Sequence, residues 1–554
     1  MDFPYALTVE IPAIVSHQYP ERQSRYHDDE ALMTNLSRCL RDPLFLLCLA
    51  AALSALLVQS GELGSADTTH RLQTAHSFWT SEPPVFPAEY PEFGVHGRGG
   101  KLYDWYGIGQ PLLMLPSDIV GSYLERLPAF ADYDGTDPSV RDIFVASTTN
   151  VLLSVLTATV CFRFLRELRF SESQAAAGVL ALLFCTTHLH YTQNMMENNY
   201  ICLLTLAGFR YQYQWLRNGS QRALLLGSAA FGLNLLTRLT TGLDLLTGGV
   251  FLLLVLWFEQ VRGRALWQRF LAYIKVAAPV YTFFLLIDRW YQYHRFGSVF
   301  GTYVGVVAQE YKRMYPWLPP AYPFETPFHI GFVGALFKRE KSVFLFDPLL
   351  LLTILVMVLA WKHFRPEVRA YLISAFLLLL AYISFYARYT VWSGDFAWGD
   401  RYVSTAAQLA AFISVPLLLR YRAEIRKPAW FAGIALIAVA TLVQLASLAF
   451  WLPLEIYQME TMGHPKFVIG MRFKNIAAFA LGKMDAWGLN NVPMTQDPWD
   501  YVHITTWNFL PFVLRRVGVA PIWAVNTVFV IWSAVVFMLG AVLLQLRQVL
   551  RPNS

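Results

Sequence analysis

Apolar runs of about twenty residues, long enough to cross a bilayer as helices, recur along the chain. They lie near 43–59, 142–162, 174–190, 197–216, 223–239, 242–258, 270–288, 343–361, 370–386, 402–419, 429–451 and 521–546. Three long polar stretches separate some of them: 60–141, 289–342 and 452–520. One further run, 107–124, carries Pro111, Pro116, Asp118 and three glycines and makes a poor spanning helix. The pattern predicts an all-α polytopic membrane protein.

Basic residues decide how the run 107–124 is counted. If it does not cross, one side of the membrane receives Arg22/Arg25/Arg38/Arg41, Arg163/Arg166/Arg169, Arg217/Arg222, Arg262/Arg264/Arg269, Lys362/Arg365/Arg369, Arg420/Arg422/Arg426/Lys427 and Arg547/Arg551. Short loops rich in Lys and Arg stay on the cytoplasmic side, so this agreement predicts about twelve crossings with both termini cytoplasmic. The run 107–124 is then an outer-face juxtamembrane or re-entrant helix, and the three long stretches face outward. The chain divides into a cytoplasmic segment 1–42, a transmembrane module 43–420 that includes the outer loop 60–141, and C-terminal helices 421–554 with the outer loop 452–520. The polar start predicts that the first apolar run itself directs insertion. The sequons at Asn35 and Asn218 both fall on the cytoplasmic side, which fits a bacterial inner membrane and also an unglycosylated eukaryotic protein. With long loops crowded onto one face and no evident internal repeat, chemistry at the outer interface is expected rather than passage through the midplane.

Composition agrees. Of 554 residues, 55% are hydrophobic and only 15% charged, against about 25% charged in soluble proteins. Mean hydropathy is +0.39. The net charge of +6 is spread in short clusters between apolar runs, a pattern that orients helices rather than one that binds nucleic acid. The five cysteines show no disulfide framework or metal-type spacing, and His188 and His190, two apart, do not share a helix face. No metal and no cofactor are expected.

Candidate chemistry sits in the outward loops. Asp67 lies just beyond the first helix, where partial desolvation raises a carboxyl pKa and makes it a better base; Arg71 follows one helical turn later. The alternative is a helix N-cap. The segment GVHGRGGKLYDWYGIGQ sets Arg98 and Lys101 among glycines, followed by Tyr103, Trp105 and Tyr106; it could cradle a phosphate or simply feed an interfacial helix. Glu197 stands among Asn194, Asn198 and Asn199, and acids at membrane depth are usually functional unless shallow enough to be solvated. Arg238 could grip a phosphate with its planar fork or pair with Asp244. The loop ARYTVWSGDFAWGDRYVST gathers Arg388, Trp392, Asp395, Trp398, Asp400 and Arg401. Tryptophan faces can stack on sugar rings and carboxylates can take hydroxyls; the alternative is an aromatic belt with local ion pairs.

Taken in order, these motifs and the strings GLNLLTRLTTGL, YQYHRFGSVFGTY, SVFLFDPLL and WSGDFAWGDRYVS resemble the GT-C superfamily of membrane glycosyltransferases, relatives of protein O-mannosyltransferases and aminoarabinose transferases. The resemblance runs over roughly 43–420. It implies a GT-C-like fold with juxtamembrane helices in the first outer loop and a polyprenyl-phosphate sugar as donor substrate. It implies catalytic roles for Asp67 and Glu197. By position it gives the donor phosphate to Lys101, Arg238, Arg401 and Arg71, and the sugar or acceptor to Trp392, Asp395, Trp398, Asp400 and Tyr103. The acceptor would be a glycan, lipid or protein hydroxyl, with the active site facing the periplasm or exterior. Where the superfamily often has a second acid beside the first, Asp67 is followed by Thr68. A lipid-linked glycan polymerase or ligase, and a lipid or solute transporter or flippase, are the competing functions.

Overall fold

The computed structural model describes residues 40–551 apart from 88–92, 134, 136–137, 395–396, 452, 461–462, 464–465, 484–505 and 519. The chain is almost wholly helical. Helix α1 (Pro43–Leu57) leads into a long connection holding α2 (Ala66–Ser77), a short antiparallel pair β1 (Val95–His96) and β2 (Leu102–Tyr103), and α3 (Gly109–Glu125). The bundle continues with α4 (Val140–Glu167), α5 (Glu172–Cys185), α6 (His188–Gln193), α7 (Asn198–Asn218), α8 (Gln221–Thr237), α9 (Gly242–Phe258) and α10 (Gly263–Phe296). After α11 (Tyr303–Met314), α12 (Phe328–Phe337) and the single turn α13 (Val343–Phe346) come α14 (Leu349–Ala360), α15 (Pro366–Tyr386), α16 (Ser404–Ala411), α17 (Ser414–Arg420) and α18 (Lys427–Ser447). The last elements are α19 (Pro453–Glu460), α20 (Val468–Ala480), α21 (Leu510–Val517) and α22 (Ile522–Val549).

Local chemistry sets many ends. Asp42 caps α1 by accepting the Leu44 amide at 3.0 Å, with Pro43 at the first helical position, where its missing N–H costs nothing. Ser139 and Asp142 form a reciprocal capping box on α4. Helices α7 and α10 stop at Gly219 and Gly297, both left-handed.

Among the described residues, six helices are long and apolar enough to cross a membrane: α4, α9 with its preceding 3-10 turn, α10, α15, α18 and α22. Helices α1, α5, α12, α14 and the pair α16–α17 are apolar but shorter. Helix α7 is long but polar, carrying Asn198, Asn199, Arg210, Gln212 and Arg217. It is tolerable because α4, α8, α9 and α16 pack around it, so its polar groups meet protein rather than hydrocarbon. Asn234 on α8, for example, donates to Thr205 Oγ1 on α7 at 2.9 Å.

Several apolar runs are broken where the sequence pattern reads as continuous. The run 402–419 is two helices, α16 and α17. Pro416 has no N–H to return to the Phe412 carbonyl, and the turn opens there. The run 174–190 ends at Cys185, with Thr186 extended before α6. The run 343–361 is interrupted at Asp347–Pro348. The run 107–124 is helical as α3, with Pro116 inside it, and packs on α2 and α4. The connection between α1 and α4 therefore carries two helices, α2 and α3.

The basic helix ends meet at one end. Arg420 donates to the Arg169 carbonyl at 3.3 Å, Arg169 approaches Glu367 at 3.9 Å, Arg217 pairs with Glu259, and Arg269 donates to the Leu216 carbonyl at 3.0 Å. The opposite end, at the starts of α7 and α16, holds the candidate site.

Candidate functional site

Four segments far apart in sequence converge here. Helix α2 begins at Ser65, whose hydroxyl accepts the Thr68 amide at 3.3 Å. Asp67 is therefore a first-turn residue and not the N-cap. Thr68 then donates to the Met195 carbonyl at 2.5 Å, which pins α2 against the segment leading to Glu197. Gly64 lets the chains approach: its φ is +78°, and a Cβ there would sit 2.6 Å from Asn194 Cα. Gln110, at the start of α3, also donates to the Met195 carbonyl, at 3.2 Å.

At the next corner, α8 ends at Thr237, and Arg238 takes an extended conformation before a 3-10 turn starts α9. The fourth segment precedes α16. Asn198 Nδ2 donates to the Arg401 carbonyl and to Ser404 Oγ, both at 2.7 Å. Gly394, at φ +75°, lies so close to Arg401 that a Cβ would meet its amide nitrogen at 2.7 Å.

The result is a chain of ion pairs. Arg401 Nη1 donates to Asp67 Oδ2 at 2.6 Å. Arg71 Nη1 lies 2.7 Å from Glu197 Oε2, and Arg238 Nε donates to Glu197 Oε1 at 2.6 Å. The Tyr106 hydroxyl favours the ionised form of Asp67, and the Arg71 guanidinium lies 3.9 Å over the Tyr106 ring. Tyr402 touches both remaining cations, each 5.3 Å from its ring centre, and stacks on Tyr386 at 4.4 Å. Three guanidinium groups thus face two carboxylates, an excess of one positive charge. Glu197 is sealed in, while Asp67 and Arg401 keep 21% and 16% of their side-chain surface open. Arg401 Nε is buried with no hydrogen-bond partner in the protein.

Electrostatics fix the protonation states. Burial opposes ionisation of Asp67, but Arg401, Arg71 and the Tyr106 hydroxyl outweigh it and hold the carboxyl below its ordinary value of 3.8. The sequence expectation was the reverse, because desolvation is visible in a sequence and a distant arginine is not. Glu197 is likewise buried and still depressed, by Arg238, Arg71 and Arg401. Both carboxylates are ionised at neutral pH. His70, half-buried one turn after Asp67, is lowered to about 4 by burial and is neutral.

The cluster gathers Asp67, Arg71, Glu197, Arg238 and Arg401. It does not include the others. Lys101 is exposed at the turn between β1 and β2, away from these ion pairs. Tyr103 sits edge-on to Phe296 at 6.0 Å. Trp392 is buried over Gly334. Trp398 is fully buried, stacked on His190 at 5.8 Å and edge-on to Phe346 at 5.1 Å, so its ring is a packing element. Asp400 is buried and accepts the Tyr402 amide at 3.0 Å; burial raises its carboxyl against the nearby Lys341 charge. Asp395 lies outside the described residues. The Arg238–Asp244 pairing does not form: Arg238 turns to Glu197, and Asp244 accepts the Tyr382 hydroxyl at 3.0 Å. Tyr106 and Tyr402, which complete the cluster, follow or sit beside the charged motifs, but nothing in their spacing distinguishes them from belt aromatics.

No group of three or more His, Cys, Asp or Glu side chains suited to a metal occurs among the described residues. No protein-family model matches the chain, and no curated protein matches it.

Proposed function

We propose that the protein is an inverting glycosyltransferase that moves a sugar from a polyprenyl-phosphate donor to an acceptor hydroxyl at the outer face of a membrane. The reading takes about twelve crossings, both termini cytoplasmic, and a bacterial inner membrane with the site on the periplasmic or exterior side. The observation that carries it is the cationic excess at Arg71, Arg238 and Arg401 around two ionised carboxylates, at the bundle end opposite the basic helix ends. An incomplete set of anions around guanidinium groups is a place for a phosphate. The helices α2 and α3 in the first outer loop support the GT-C resemblance.

In this mechanism the donor phosphate sits on Arg238 and Arg401, beneath Tyr402. The acceptor hydroxyl gives its proton to Asp67. Its oxygen forms the new bond to the anomeric carbon from the face opposite the phosphate. The bond from that carbon to the phosphate oxygen breaks, and its electron pair leaves with polyprenyl phosphate. The leaving group is an anion at the start and at the end, so it needs no general acid; the arginines stabilise the charge that shifts onto its bridging oxygen. Glu197 holds Arg71 and Arg238 in place.

Native mass spectrometry of the purified protein tests the donor site. The wild-type protein is expected to retain a polyprenyl phosphate or its glycoside, and an Arg238→Ala/Arg401→Ala variant to lose it. Bulk phospholipid alone in both samples would remove the donor site. Asp67→Asn should keep fold and donor while transfer falls by about 10²–10⁴; full turnover in that variant would strip Asp67 of its role.

A further inference from the structure

Helix α10 carries an exposed apolar stripe that ends beneath two cations. Phe283, Leu286, Trp290 and Tyr293 recur at helical spacing, so they share one face, and all four are exposed. Ala277, Asp288, Tyr291 and Arg295, on the opposite face, are buried. A second exposed tryptophan, Trp267, lies near the other end of the helix, among Arg262, Arg264 and Arg269. At about 1.5 Å per residue the two tryptophans stand about 35 Å apart along the axis. That distance brackets a hydrocarbon layer about 30 Å deep, so Trp290 and Tyr293 belong at a membrane surface. It is the surface on the side of the ion-pair cluster, since Arg295 is bonded to Asp104, just before Tyr106.

The turn between β1 and β2 lies against this end of α10. Gly97 packs so closely that a Cβ there would collide with the Arg295 carbonyl, and its amide donates to the Lys101 carbonyl at 2.9 Å. Arg98 places its guanidinium 4.9 Å over the Tyr293 ring. Arg98 and Lys101 are both exposed, and among the described residues neither has an ion-pair partner. The acids of neighbouring segments are engaged elsewhere, Asp104 by Arg295 and Glu310 by Arg313.

We infer that this face is a seat for an anionic phospholipid, with its phosphate held by Arg98 and Lys101 and an acyl chain running down Trp290, Leu286 and Phe283. The inference needs only that α10 stands in a membrane, and it is independent of the transferase reading. Charge and continuity together name the occupant. Two unpaired cations at a membrane surface call for an anion, and a guanidinium fork beside an ammonium suits a phosphate. The same cations head a stripe that faces hydrocarbon along the rest of its length. A free anion would meet the cations and leave the stripe to other molecules, and a neutral lipid would cover the stripe and leave the cations unmet. An anionic phospholipid meets both. The seat is distinct from the proposed donor site, whose phosphate belongs at Arg238 and Arg401, away from the turn.

The test is native mass spectrometry of the full chain, delipidated in detergent and titrated with phosphatidylglycerol or with phosphatidylcholine of the same acyl chains. Wild type should bind phosphatidylglycerol about tenfold more tightly. Arg98→Ala/Lys101→Ala, which changes only exposed side chains, should erase that preference, and the charge-keeping Arg98→Lys/Lys101→Arg should restore most of it. A phosphatidylglycerol probe with a photoreactive acyl chain should label the peptide spanning 283–293 in wild type, and the double-alanine variant should lose that label. Equal preference in wild type and the alanine variant, labelling only elsewhere, or displacement of the lipid by inorganic phosphate as readily as by phosphatidylglycerol would each overturn the seat. Polyprenyl phosphate retained before delipidation separates the two sites. If the two alanines abolish its retention, the turn belongs to the donor and the seat falls. If the alanine variant keeps it and loses only the phosphatidylglycerol preference, both sites stand. If wild type retains none, the transferase reading falls and the seat is decided by the preference and the labelling.

Discussion

Two arginine-centred networks at the same end of the bundle are built to opposite specifications. Between α18 and α21, Arg472 grips Glu455 with two bonds of 2.6 Å. Its third nitrogen donates to the Ser447 and Phe450 carbonyls at 2.8 Å. Asn475 donates to Glu455 at 3.0 Å and exchanges bonds with Gln458 at 2.8 and 2.9 Å. Both charged side chains are fully buried, and charge is balanced one to one. Around Asp67 and Glu197, cations outnumber anions, Arg401 Nε has no partner, and three members, Asp67, Arg238 and Arg401, remain partly open. A saturated network has nothing left to bind and serves to clasp α20 to the end of α18. The unsaturated one has capacity for an anion. Counting arginines would not separate them; counting their unmet bonds does.

The sharpest break of this contrast is Arg472→Ala. Removing one partner of a fully buried pair leaves an uncompensated carboxylate and costs about 3–5 kcal/mol. Thermal unfolding in detergent should show a large drop, and a variant as stable as wild type would mean that the clasp is not structural. Arg401→Ala should do the opposite. Its partner Asp67 is partly solvated, so the stability change should stay within about 1 kcal/mol, while affinity for polyprenyl phosphate falls by about tenfold or more. Equal stability losses in the two variants would erase the distinction.

The pH response is a finer measure. Asp67 has a depressed pKa, so its pairing with Arg401 contributes above the unfolded value of 3.8 and is lost only as pH falls through a still lower value. The profile of kcat/KM should therefore show no acid limb from Asp67 between about pH 5 and 8. A limb near about pH 6 would assign the base to another group. The smallest effect belongs to Lys101→Ala. An exposed turn residue outside the cluster should change donor affinity and stability by less than about 0.5 kcal/mol, and a large loss of donor would bring that turn back into the site.

Much of this was legible in the sequence, but unevenly. Apolar runs locate most helices because lipid and core demand the same side chains over a whole span. They do not locate the breaks at Thr186 and Pro416, where single backbone bonds decide. The charged residues of the site stand out because charge near a membrane is rare, so Asp67, Glu197, Arg238 and Arg401 can be singled out. Their pairing cannot, because Asp67 and Arg401 are 334 positions apart. That blindness reversed the expected direction of the Asp67 pKa. Tryptophans mislead for a related reason: Trp398 and Trp317 read alike in a string, yet one is core and the other is almost wholly in the open.

Helix α10 has 34 residues, which at 1.5 Å each is about 50 Å. The hydrocarbon of a bilayer is only about 30 Å deep. Packed mainly along α8 and otherwise hardly covered, α10 must stand proud of the membrane or lean within it. Its far end is locked by Arg295 to Asp104, beside the loop that carries Trp105 and Tyr106. The helix is therefore a mast stepped in lipid, and the elevation of everything rigged to its top is referenced to the thickness of the membrane below.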